Sequence, residues 1–274
     1  MNDWSGRTAV ITGAGSGIGR ALAAACAARG MRLVLADLQR PALEETAELA
    51  GQADALLCIT DVSDAQAVEV LAQRTFEATG DAALLFNNAG VLASGPAWKL
   101  SPQDWTWILG VNLMGVVHGI RSFVPRMREQ GRAARVVNTA SGAGLTAVPG
   151  GGAYCASKHA VVALSECLYH DLRMQACPIG VSVVCPSYVN TGIAASEQYR
   201  PAALHNDIPL KGPSEDRLDR TFRRAKLGAN EVAQIVLQGI DDDAFYILPH
   251  PEIMGRVQAR FGQIECGGPP QDIA

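Results

Sequence analysis

The sequence predicts a doubly wound α/β fold, in which a parallel β-sheet carries helices on both faces. Three observations lead to this fold class. Short apolar segments alternate with longer segments of helical period from the N-terminus to about residue 248. The short segments are apolar nearly throughout, as in strands that are buried on both faces of a parallel sheet. A glycine cluster follows the first of them, where a strand passes directly into a helix.

The N-terminal half of the chain accounts for the first seven predicted elements. Residues 7–12 and 32–36 are two apolar strands joined by a helix over 17–29, which makes a βαβ unit of about 30 residues. The same alternation continues to residue 86. It predicts helices at 41–50 and 64–79 and strands at 55–60 and 82–86.

The C-terminal half repeats the pattern with longer helices. Ser101 and Pro102 are a typical N-cap and first-turn proline, so they begin another helix. Residues 192–226 are rich in Pro, Arg and acidic residues and interrupt the alternation of strands and helices, so we expect a substrate loop or lid there. Residues 249–274 show little periodicity and are expected to form a tail. The periodic segments predict helices at 111–127, 152–175 and 230–240, and strands at 135–139, 180–185 and 244–248.

Length and composition favour one globular domain that spans residues 1–274. The chain is 48% hydrophobic and 18% charged, so long disordered segments are not expected. A net charge of -4 provides no positive field for nucleic acid or an anionic membrane. The longest purely apolar run, 21–28, is well short of the roughly 20 residues that span a bilayer. The N-terminus also lacks the features of a secretory signal, so we expect a cytoplasmic protein.

The seven cysteines and five histidines do not form a ligand pattern. The cysteines are odd in number and contain no CxxC pair, which argues against a disulfide framework and against a zinc site. The histidines lack HExxH or a similar spacing. We therefore predict no catalytic metal.

The glycine-rich segment after the first strand is the first candidate binding site. Gly13, Gly17 and Gly19 follow a G-x3-G-x-G spacing, in a turn whose backbone N–H groups can approach a pyrophosphate. A plain strand-to-helix turn could carry the same pattern. The cofactor-binding residues that we predict in this turn are Gly13, Gly15, Ser16, Gly17, Ile18 and Gly19.

Polar residues at later strand ends predict the rest of the nucleotide site. Asp37 ends the second strand, where a carboxylate accepts the hydroxyl groups of an adenosine ribose and repels a 2′-phosphate. This favours NAD over NADP as cofactor, although Arg40 could still reach a phosphate. Ligands of open α/β sheets bind at the edge where the parallel strands end. At that edge we also expect Asp61, Val62, Asn88, Ala89 and Gly90.

Tyr154 and Lys158 are the candidate catalytic pair. Because they are four residues apart in a helix, their side chains share one face. An ammonium about 5 Å from a phenol, at an effective dielectric of ~20, contributes about 3 kcal/mol. We therefore expect Lys158 to lower the Tyr154 pKa by about two units from about 10, so that Tyr154 can transfer protons. A YxxxK pattern on its own also fits a solvated helix face.

Several of these short motifs occur together in the order and spacing of one known family. They are 12–19, Asp61, 88–90, Asn112, Ser141 and 154–158. From about residue 7 to residue 248, the chain resembles the short-chain dehydrogenase/reductase family. The resemblance implies a Rossmann-type domain with a seven-stranded parallel sheet, a nicotinamide cofactor and a small-molecule alcohol or ketone substrate. It also implies a homodimer or homotetramer packed through the long helices at 111–127 and 152–175.

The same resemblance implies roles for individual residues. Tyr154 would exchange a proton with the substrate oxygen, and Lys158 would hold the nicotinamide ribose and lower the Tyr154 pKa. Ser141 would hydrogen-bond the substrate oxygen and stabilise its developing charge. Asn112 would support a proton-relay water beside Lys158. Thr191 would contact the nicotinamide carboxamide.

One departure from the family pattern lies next to the expected nicotinamide site. Members of the family have a Pro-Gly turn after the sixth strand, whereas this chain has Pro186 and Ser187. A narrower resemblance concerns residues 111–119, 123–127 and 244–252. These segments are similar to the aryl-ether Cα-dehydrogenases of bacterial lignin breakdown, which oxidise benzylic secondary alcohols. Many of these residues serve packing, so shared ancestry without a shared substrate would give the same likeness.

The substrate end of the site is predicted from the loops that follow strand ends. Apolar side chains in these loops indicate an apolar pocket. The residues that we expect to contact the substrate are Ser141, Leu145, Val148, Tyr154, Tyr188 and Ile193. The sequence thus predicts hydride transfer between NAD and a bulky apolar or aromatic secondary alcohol or ketone. Two alternatives stay open: an epimerase or dehydratase that uses bound NAD transiently, and a dinucleotide-sensing protein without turnover.

Overall fold

Strands and helices alternate as the sequence predicts within residues 4–206 and 220–270, which the computed structural model describes. The first half runs β1 (Thr8–Thr12), α1 (Gly17–Ala28), β2 (Arg32–Asp37), α2 (Arg40–Leu49), β3 (Leu56–Ile59), α3 (Ala65–Thr79) and β4 (Leu84–Asn87). The second half runs α4 (Pro102–Leu109), α5 (Gly115–Glu129), β5 (Ala134–Thr139), α6 (Gly152–Met174), β6 (Ile179–Val184), β7 (Val189–Asn190), β8 (Leu227–Gly228), α7 (Ala229–Asp241), β9 (Tyr246–Ile247) and α8 (Ile253–Cys266).

Seven of the described strands form one parallel sheet in the order β3-β2-β1-β4-β5-β6-β9, which confirms the predicted fold class. Strand β1 pairs with β2 on one side and with β4 on the other, so the direction of winding reverses between β1 and β4. The carboxyl ends of these two strands therefore flank the crevice in which ligands of open α/β sheets bind. Strands β7 and β8 form a separate two-stranded pair.

The central sheet is buried on both faces. Ile11 of β1 lies in the core with side chains of α1, α2 and α7, whereas its neighbour Val10 lies in the core with α3, α5 and α6. Both side chains are fully buried, and each such burial contributes about 1.5–3 kcal/mol. Because neither face meets water, the strands can be apolar at every position, which explains the continuous apolar runs in the sequence.

Helices α4 and α5 are parts of one continuous helix over residues 102–129, with a π-helical turn at Gly110–Met114 between them. The start of α4 is confirmed, because Ser101 caps it and its hydroxyl accepts from the N–H of Asp104 at 3.1 Å. The sequence predicted a separate helix from residue 111, and the wide turn explains the interruption in its period. The continuous helix is long and apolar enough to cross a membrane, but more than half of its apolar window is buried inside the fold, as in a core helix.

The segment after residue 249 corrects the expectation of a tail without periodicity. It contains α8, which has Ile253 and Val257 buried. The apolar residues Ile253, Val257, Phe261 and Ile264 recur at helical spacing, so the sequence did carry a signal for this helix. Helix α8 matters for the site because it places residues over the crevice at the sheet edge.

The predicted substrate loop at 192–226 is described in part, since residues 207–219 lie outside the described residues. Its first part forms 3₁₀ turns at Gly192–Tyr199 and Ala202–Leu204. Arg200 holds this part against α4, because its Nη2 lies 2.8 Å from Asp104 Oδ1 in a pair whose side chains are 2% and 1% exposed. The Arg200 guanidinium also lies 4.2 Å from the centroid of the Trp107 ring. A buried, stacked ion pair of this kind fixes the loop to α4.

Candidate active site

A cavity of about 1020 Å³ opens along the carboxyl edge of the sheet. It runs from the loop after β1, across the ends of β4 and β5, to the beginning of α8. Most of the residues that the sequence predicts for the site line this cavity. They are Gly13, Gly15, Ser16, Gly17, Ile18, Asp37, Asp61, Val62, Asn88, Ala89, Gly90, Ser141, Val148, Tyr154, Lys158, Tyr188, Thr191 and Ile193.

Three predicted residues, Gly19, Asn112 and Leu145, lie outside the lining. Gly19 faces the glycine loop itself, since a Cβ there would lie 2.0 Å from the Gly13 carbonyl oxygen. Leu145 is half-buried and packs against the core cluster that contains Val161, and its predicted contact with the substrate stays a prediction. Gly19 thus allows the close packing of the loop, and its predicted contact with a cofactor stays a prediction.

Asn112 supports the site from behind the cavity and is fully buried. Its Oδ1 accepts from the Val91 N–H at 2.8 Å, and its Nδ2 donates to the Val91 carbonyl at 3.0 Å. A Cβ on Gly90 would lie 3.4 Å from Asn112 Oδ1 and 3.5 Å from Lys158 Nζ. The side chain of Asn112 therefore holds the backbone after β4 beside Lys158, and its predicted support of a proton-relay water stays a prediction.

Close approach of backbones explains why glycine is required in the loop after β1. Gly13 has a φ of +65°, and a Cβ there would lie 2.8 Å from Ala89 Cα. Thr12 locks the two segments together, because its Oγ1 accepts from the N–H groups of Asn88 and Ala89 at 2.9 and 3.1 Å. Asn88 Nδ2 donates in return to the Thr12 carbonyl at 3.0 Å. The glycine loop and the end of β4 are thus one rigid unit.

The N-terminus of α1 retains its capacity to bind an anion. Ser16 occupies the N-cap position, but its side chain makes no capping hydrogen bond, and the first turn contains no acidic residue. The backbone N–H groups of this turn lack intrahelical partners and carry the positive end of the helix dipole. A glycine loop that admits no Cβ, placed before such a turn, fits the pyrophosphate of a dinucleotide.

Arg20 braces the glycine loop and was missed by the sequence reasoning. Its Nη2 donates to the Gly15 carbonyl at 2.6 Å and pairs with Glu45 Oε2 at 2.6 Å. Its Nε donates to Thr46 Oγ1 at 3.1 Å, and that hydroxyl donates to the Ala14 carbonyl at 2.9 Å. Helix α2 thereby supports the loop from below, an arrangement that depends on contacts between distant segments.

Asp37 has two roles at the nucleotide end of the cavity. Its Oδ2 accepts from the Gly15 N–H at 3.0 Å and its Oδ1 from the Gln39 N–H at 3.3 Å. The carboxylate therefore both lines the cavity and holds the glycine loop. Arg40 lies outside the cavity lining and pairs with Glu44 at 3.6 Å on the exposed side of α2. The guanidinium of Arg40 therefore does not lie beside the Asp37 carboxylate in the cavity.

Ser141, Tyr154 and Lys158 line the middle of the cavity together. Lys158 Nζ lies 5.8 Å from the centroid of the Tyr154 ring and donates to the Thr139 carbonyl at 2.8 Å. Ser141 is held at the end of β5, since its Oγ accepts from the Ala143 N–H at 3.1 Å. Helix α6 thus presents the tyrosine and the lysine on one face, as their spacing predicts.

Burial determines the pKa values of Tyr154 and Lys158. It raises the pKa of Tyr154 to about 12, and a hydrogen bond with Ser141 opposes the rise. It lowers the pKa of Lys158 to about 8. The expected lowering of the Tyr154 pKa by Lys158 is therefore wrong for the polypeptide by itself. Removal from water disfavours the charged forms of both groups. Lys158 Nζ lies over the face of the Tyr154 ring and donates its hydrogen bond to the Thr139 carbonyl instead of the phenolic oxygen.

Lys158→Met is expected to raise the free energy of unfolding near pH 7 by about 1–3 kcal/mol. The fall in the Lys158 pKa from 10.5 to about 8 corresponds to a cost of about 3 kcal/mol for the buried ammonium, partly offset by its bond to Thr139. Between pH 8 and 10.5 the unfolded chain binds the extra proton, so stability of the unmodified protein rises with pH in this window. Urea unfolding at several pH values should therefore show the advantage of Lys158→Met shrinking toward pH 10.5.

The matched control for this change is Lys99→Met, which removes an exposed ammonium outside the cavity. We expect its free energy of unfolding to follow that of the unmodified protein at every pH. Taking differences between variants cancels the titration of all other groups. A Lys158→Met advantage that stays constant from pH 7 to 10.5 would contradict the assigned pKa shift.

The Pro186-Ser187 turn keeps the site intact without the family's glycine. The described non-glycine residues with left-handed backbone are Ala176 and Asp243, so Ser187 needs no glycine-like conformation. The Ser187 N–H donates to His250 Nδ1 at 3.1 Å, which reveals His250 as a supporting residue that the sequence reasoning missed. Thr191 follows the turn and lies near Gly17, where a Cβ would be 3.3 Å from its side chain.

The substrate end of the cavity is largely apolar. Tyr188 packs edge-on against Phe222 with ring centroids 5.2 Å apart. Trp107 lines the cavity and is 3% exposed, whereas Trp98 is 84% exposed and lies outside the lining. Further apolar lining comes from Val148, Pro149, Ile193, Leu204 and Ile253. Of these, Leu204 belongs to the predicted substrate loop at 192–226, whereas Ile253 is a lining residue that the sequence reasoning missed.

The chain is similar to a known protein family and to several known proteins. The family model described as short chain dehydrogenase matches residues 7–201. The crystal structure of a short chain dehydrogenase/reductase from Burkholderia phymatum in complex with NAD is 47% identical, with a TM-score of 0.97 over 100% of this chain and 99% of that one. The CLA biosynthesis dehydrogenase/reductase of Lactiplantibacillus plantarum is 34% identical over 98% of this chain and 97% of its own. C alpha-dehydrogenase of Sphingobium sp. is 33% identical over 96% of this chain and 87% of its own.

Proposed function

Because this chain belongs to the short-chain dehydrogenase/reductase family, we propose that it is an NAD-dependent oxidoreductase of bulky apolar or aromatic secondary alcohols and the corresponding ketones. One observation carries the proposal. Ser141, Tyr154 and Lys158 lie in a single cavity, between a glycine-lined half that fits a dinucleotide and an apolar half that fits a hydrophobic substrate.

The proposed oxidation removes a proton and a hydride from the same carbinol. Tyr154, as the phenolate, accepts the hydroxyl proton as the carbinol C–H bond breaks and the carbonyl double bond forms. Ser141 donates a hydrogen bond to the substrate oxygen and stabilises the charge that develops on it. Lys158, which lines the cavity beside Tyr154, would hold the nicotinamide ribose. Bound NAD would supply the hydride acceptor and, when oxidised, a positive charge that lowers the Tyr154 pKa from about 12.

Asp37 supports NAD as the preferred cofactor. Its carboxylate lies in the cavity beside the glycine loop, and Arg40 is turned toward Glu44. A 2′-phosphate at this position would meet a negative charge without a compensating arginine from residue 40. The relative from Burkholderia phymatum, whose solved structure contains NAD, agrees with this preference.

Asp37→Asn is expected to raise the ratio of NADP-dependent to NAD-dependent kcat/KM by at least about tenfold. The amide oxygen can still accept from the Gly15 N–H, so the loop stays in place while the charge that repels the phosphate is removed. Steady-state kinetics with both cofactors measure the ratio. The control Asp54→Asn removes an exposed carboxylate outside the cavity and should leave the ratio as it is. An unchanged ratio in Asp37→Asn would refute the ribose role.

The apolar lining supports a bulky substrate. Removing apolar surface from water contributes about 25 cal/mol per Å², so a large hydrophobic body gains more from this cavity than a small alcohol does. A relative named C alpha-dehydrogenase is 33% identical to this chain, which supports a dehydrogenase. The resemblance of residues 111–119, 123–127 and 244–252 to aryl-ether Cα-dehydrogenases supports the inclusion of benzylic alcohols. The acid/base pair and the hydride acceptor together support an alcohol or carbonyl substrate, and the choice of secondary alcohols rests on the family resemblance.

A panel of steroid, terpenoid and benzylic secondary alcohols, assayed with NAD and with NADP, tests the proposed function. We expect growth of reduced-cofactor absorbance in stoichiometric amounts, with much lower kcat/KM for propan-2-ol. An epimerase or dehydratase would convert substrate without accumulating reduced cofactor. A dinucleotide sensor would bind NAD and turn over none of the panel. Either of the last two results would overturn the proposed dehydrogenase.

A further inference from the structure

The substrate half of the cavity contains a charge that the proposed chemistry does not use. Arg256 lines the cavity from α8, at its open rim. The other charged lining residues in the described part of the chain are Asp37, Asp61 and Lys158, which belong to the nucleotide end and to the catalytic centre. Arg256 therefore stands alone as the charged lining residue among the apolar side chains of the substrate half.

Arg256 has no counter-ion within residues 4–206 and 220–270. It forms no ion pair and no hydrogen bond there. The arginines that build the walls of the site behave differently, since Arg20 pairs with Glu45 and Arg200 with Asp104. Arg260, one turn further along α8, lies 5.7 Å from the centroid of the Phe261 ring and outside the lining.

The position of Arg256 relative to the catalytic centre follows from Ile253. A Cβ on Gly142, the residue after Ser141, would lie 3.3 Å from Ile253 Cδ1. Helix α8 thus begins against the residue that follows Ser141. With a rise of 1.5 Å per residue, Arg256 lies roughly 4.5 Å further along the helix axis and on the same side as Ile253. A molecule whose oxygen lies at Ser141 and Tyr154 can therefore reach Arg256 at its far end.

We propose that Arg256 binds a carboxylate at the end of the substrate remote from the reacting carbinol. A guanidinium offers paired N–H donors that match the two oxygens of a carboxylate, and the apolar lining between the two sites fits the hydrophobic body that joins them. The substrate class is then a hydroxy acid or keto acid with an apolar or aromatic spacer. This inference rests on the proposed dehydrogenase function.

The test compares matched acids and esters that differ only in charge. The probes are 4-(1-hydroxyethyl)benzoate, its homologues with added methylene groups between ring and carboxylate, and their methyl esters. At the best spacer length we expect kcat/KM for the acid to exceed that for the ester by about tenfold or more. Arg256→Gln should bring this ratio to about one, through a higher KM for the acid rather than a lower kcat.

Two controls make the outcome specific to Arg256. Arg260→Gln removes the same charge from the same helix outside the cavity and should keep the ratio of the unmodified protein. Added NaCl should raise the KM for the acid and leave that for the ester, because salt screens an exposed ion pair. A ratio that Arg256→Gln does not change would overturn this inference alone. Failure of every acid and ester to reduce NAD, while other alcohols of the steroid, terpenoid and benzylic panel are oxidised, would overturn this inference and leave the proposed function standing. Failure of the whole panel as well would overturn both.

Discussion

Replacing Tyr154 with Phe is expected to lower kcat by about 10²–10⁴-fold while NAD binding stays close to that of the unmodified protein. The change removes the phenolic oxygen and keeps the ring, whose centroid lies 5.8 Å from Lys158 Nζ. The residue proposed to move the substrate proton is thus lost, while the glycine loop, Asp37 and Lys158 remain in place. Initial rates of NAD reduction measure the loss, and calorimetric titration with NAD measures binding.

Tyr169→Phe is the matched control for this experiment. Tyr169 lies on the same helix, and its hydroxyl accepts from Arg173 Nη1 at 3.0 Å on the exposed side. The same loss of one phenolic oxygen there should leave kcat within about twofold, as expected for a surface substitution. Retention of most activity by Tyr154→Phe would show that another group transfers the proton, and the assignment of Tyr154 would be abandoned.

Gly19→Ala is expected to weaken NAD binding by more than about tenfold and to lower the free energy of unfolding by about 1–3 kcal/mol. A Cβ at this position would lie 2.0 Å from the Gly13 carbonyl oxygen and 2.8 Å from Asn88 Nδ2. Since the nearest atom belongs to backbone, the whole loop after β1 has to shift. Urea unfolding and NAD titration measure the two effects separately.

Gly262→Ala provides the contrast within the same chain. Gly262 is exposed in the middle of α8, and an added Cβ meets nothing within 4 Å. We expect this change to stabilise the protein by up to about 1 kcal/mol, because alanine is the better helix former. NAD affinity equal to that of the unmodified protein in Gly19→Ala would refute the requirement for close packing in the glycine loop.

The fold was predictable because each strand of the parallel sheet is a continuous apolar run in the sequence. Residues such as Val10 and Ile11 face opposite cores and are both fully buried, so the strand is recognised as a continuous apolar run. The predictions were weakest at the C-terminal end. Strand β9 is confined to Tyr246–Ile247, and α8 was expected to be an irregular tail although Ile253 and Val257 follow helical spacing.

The lining of the site was predictable where residues follow strand ends, because parallel strands bring those ends to one edge. Asp37 and Ser141 line the cavity for this reason. Residues that support the site through distant contacts were not predictable. Arg20 with Glu45 and His250 with Ser187 are joined across many residues, and no local pattern marks such pairs.

The sequence by itself determined the doubly wound fold and the spacing of Tyr154 and Lys158 on one helical face, since both follow from short-range periods. The tertiary structure alone decided that burial raises the Tyr154 pKa to about 12, that Leu145 packs against a core cluster and that Arg256 lines the substrate half. Solvation and contact depend on which distant segments surround a side chain. The hydrophobic period of each segment can be read from the sequence alone. The segments that surround a given side chain are defined only in the folded chain.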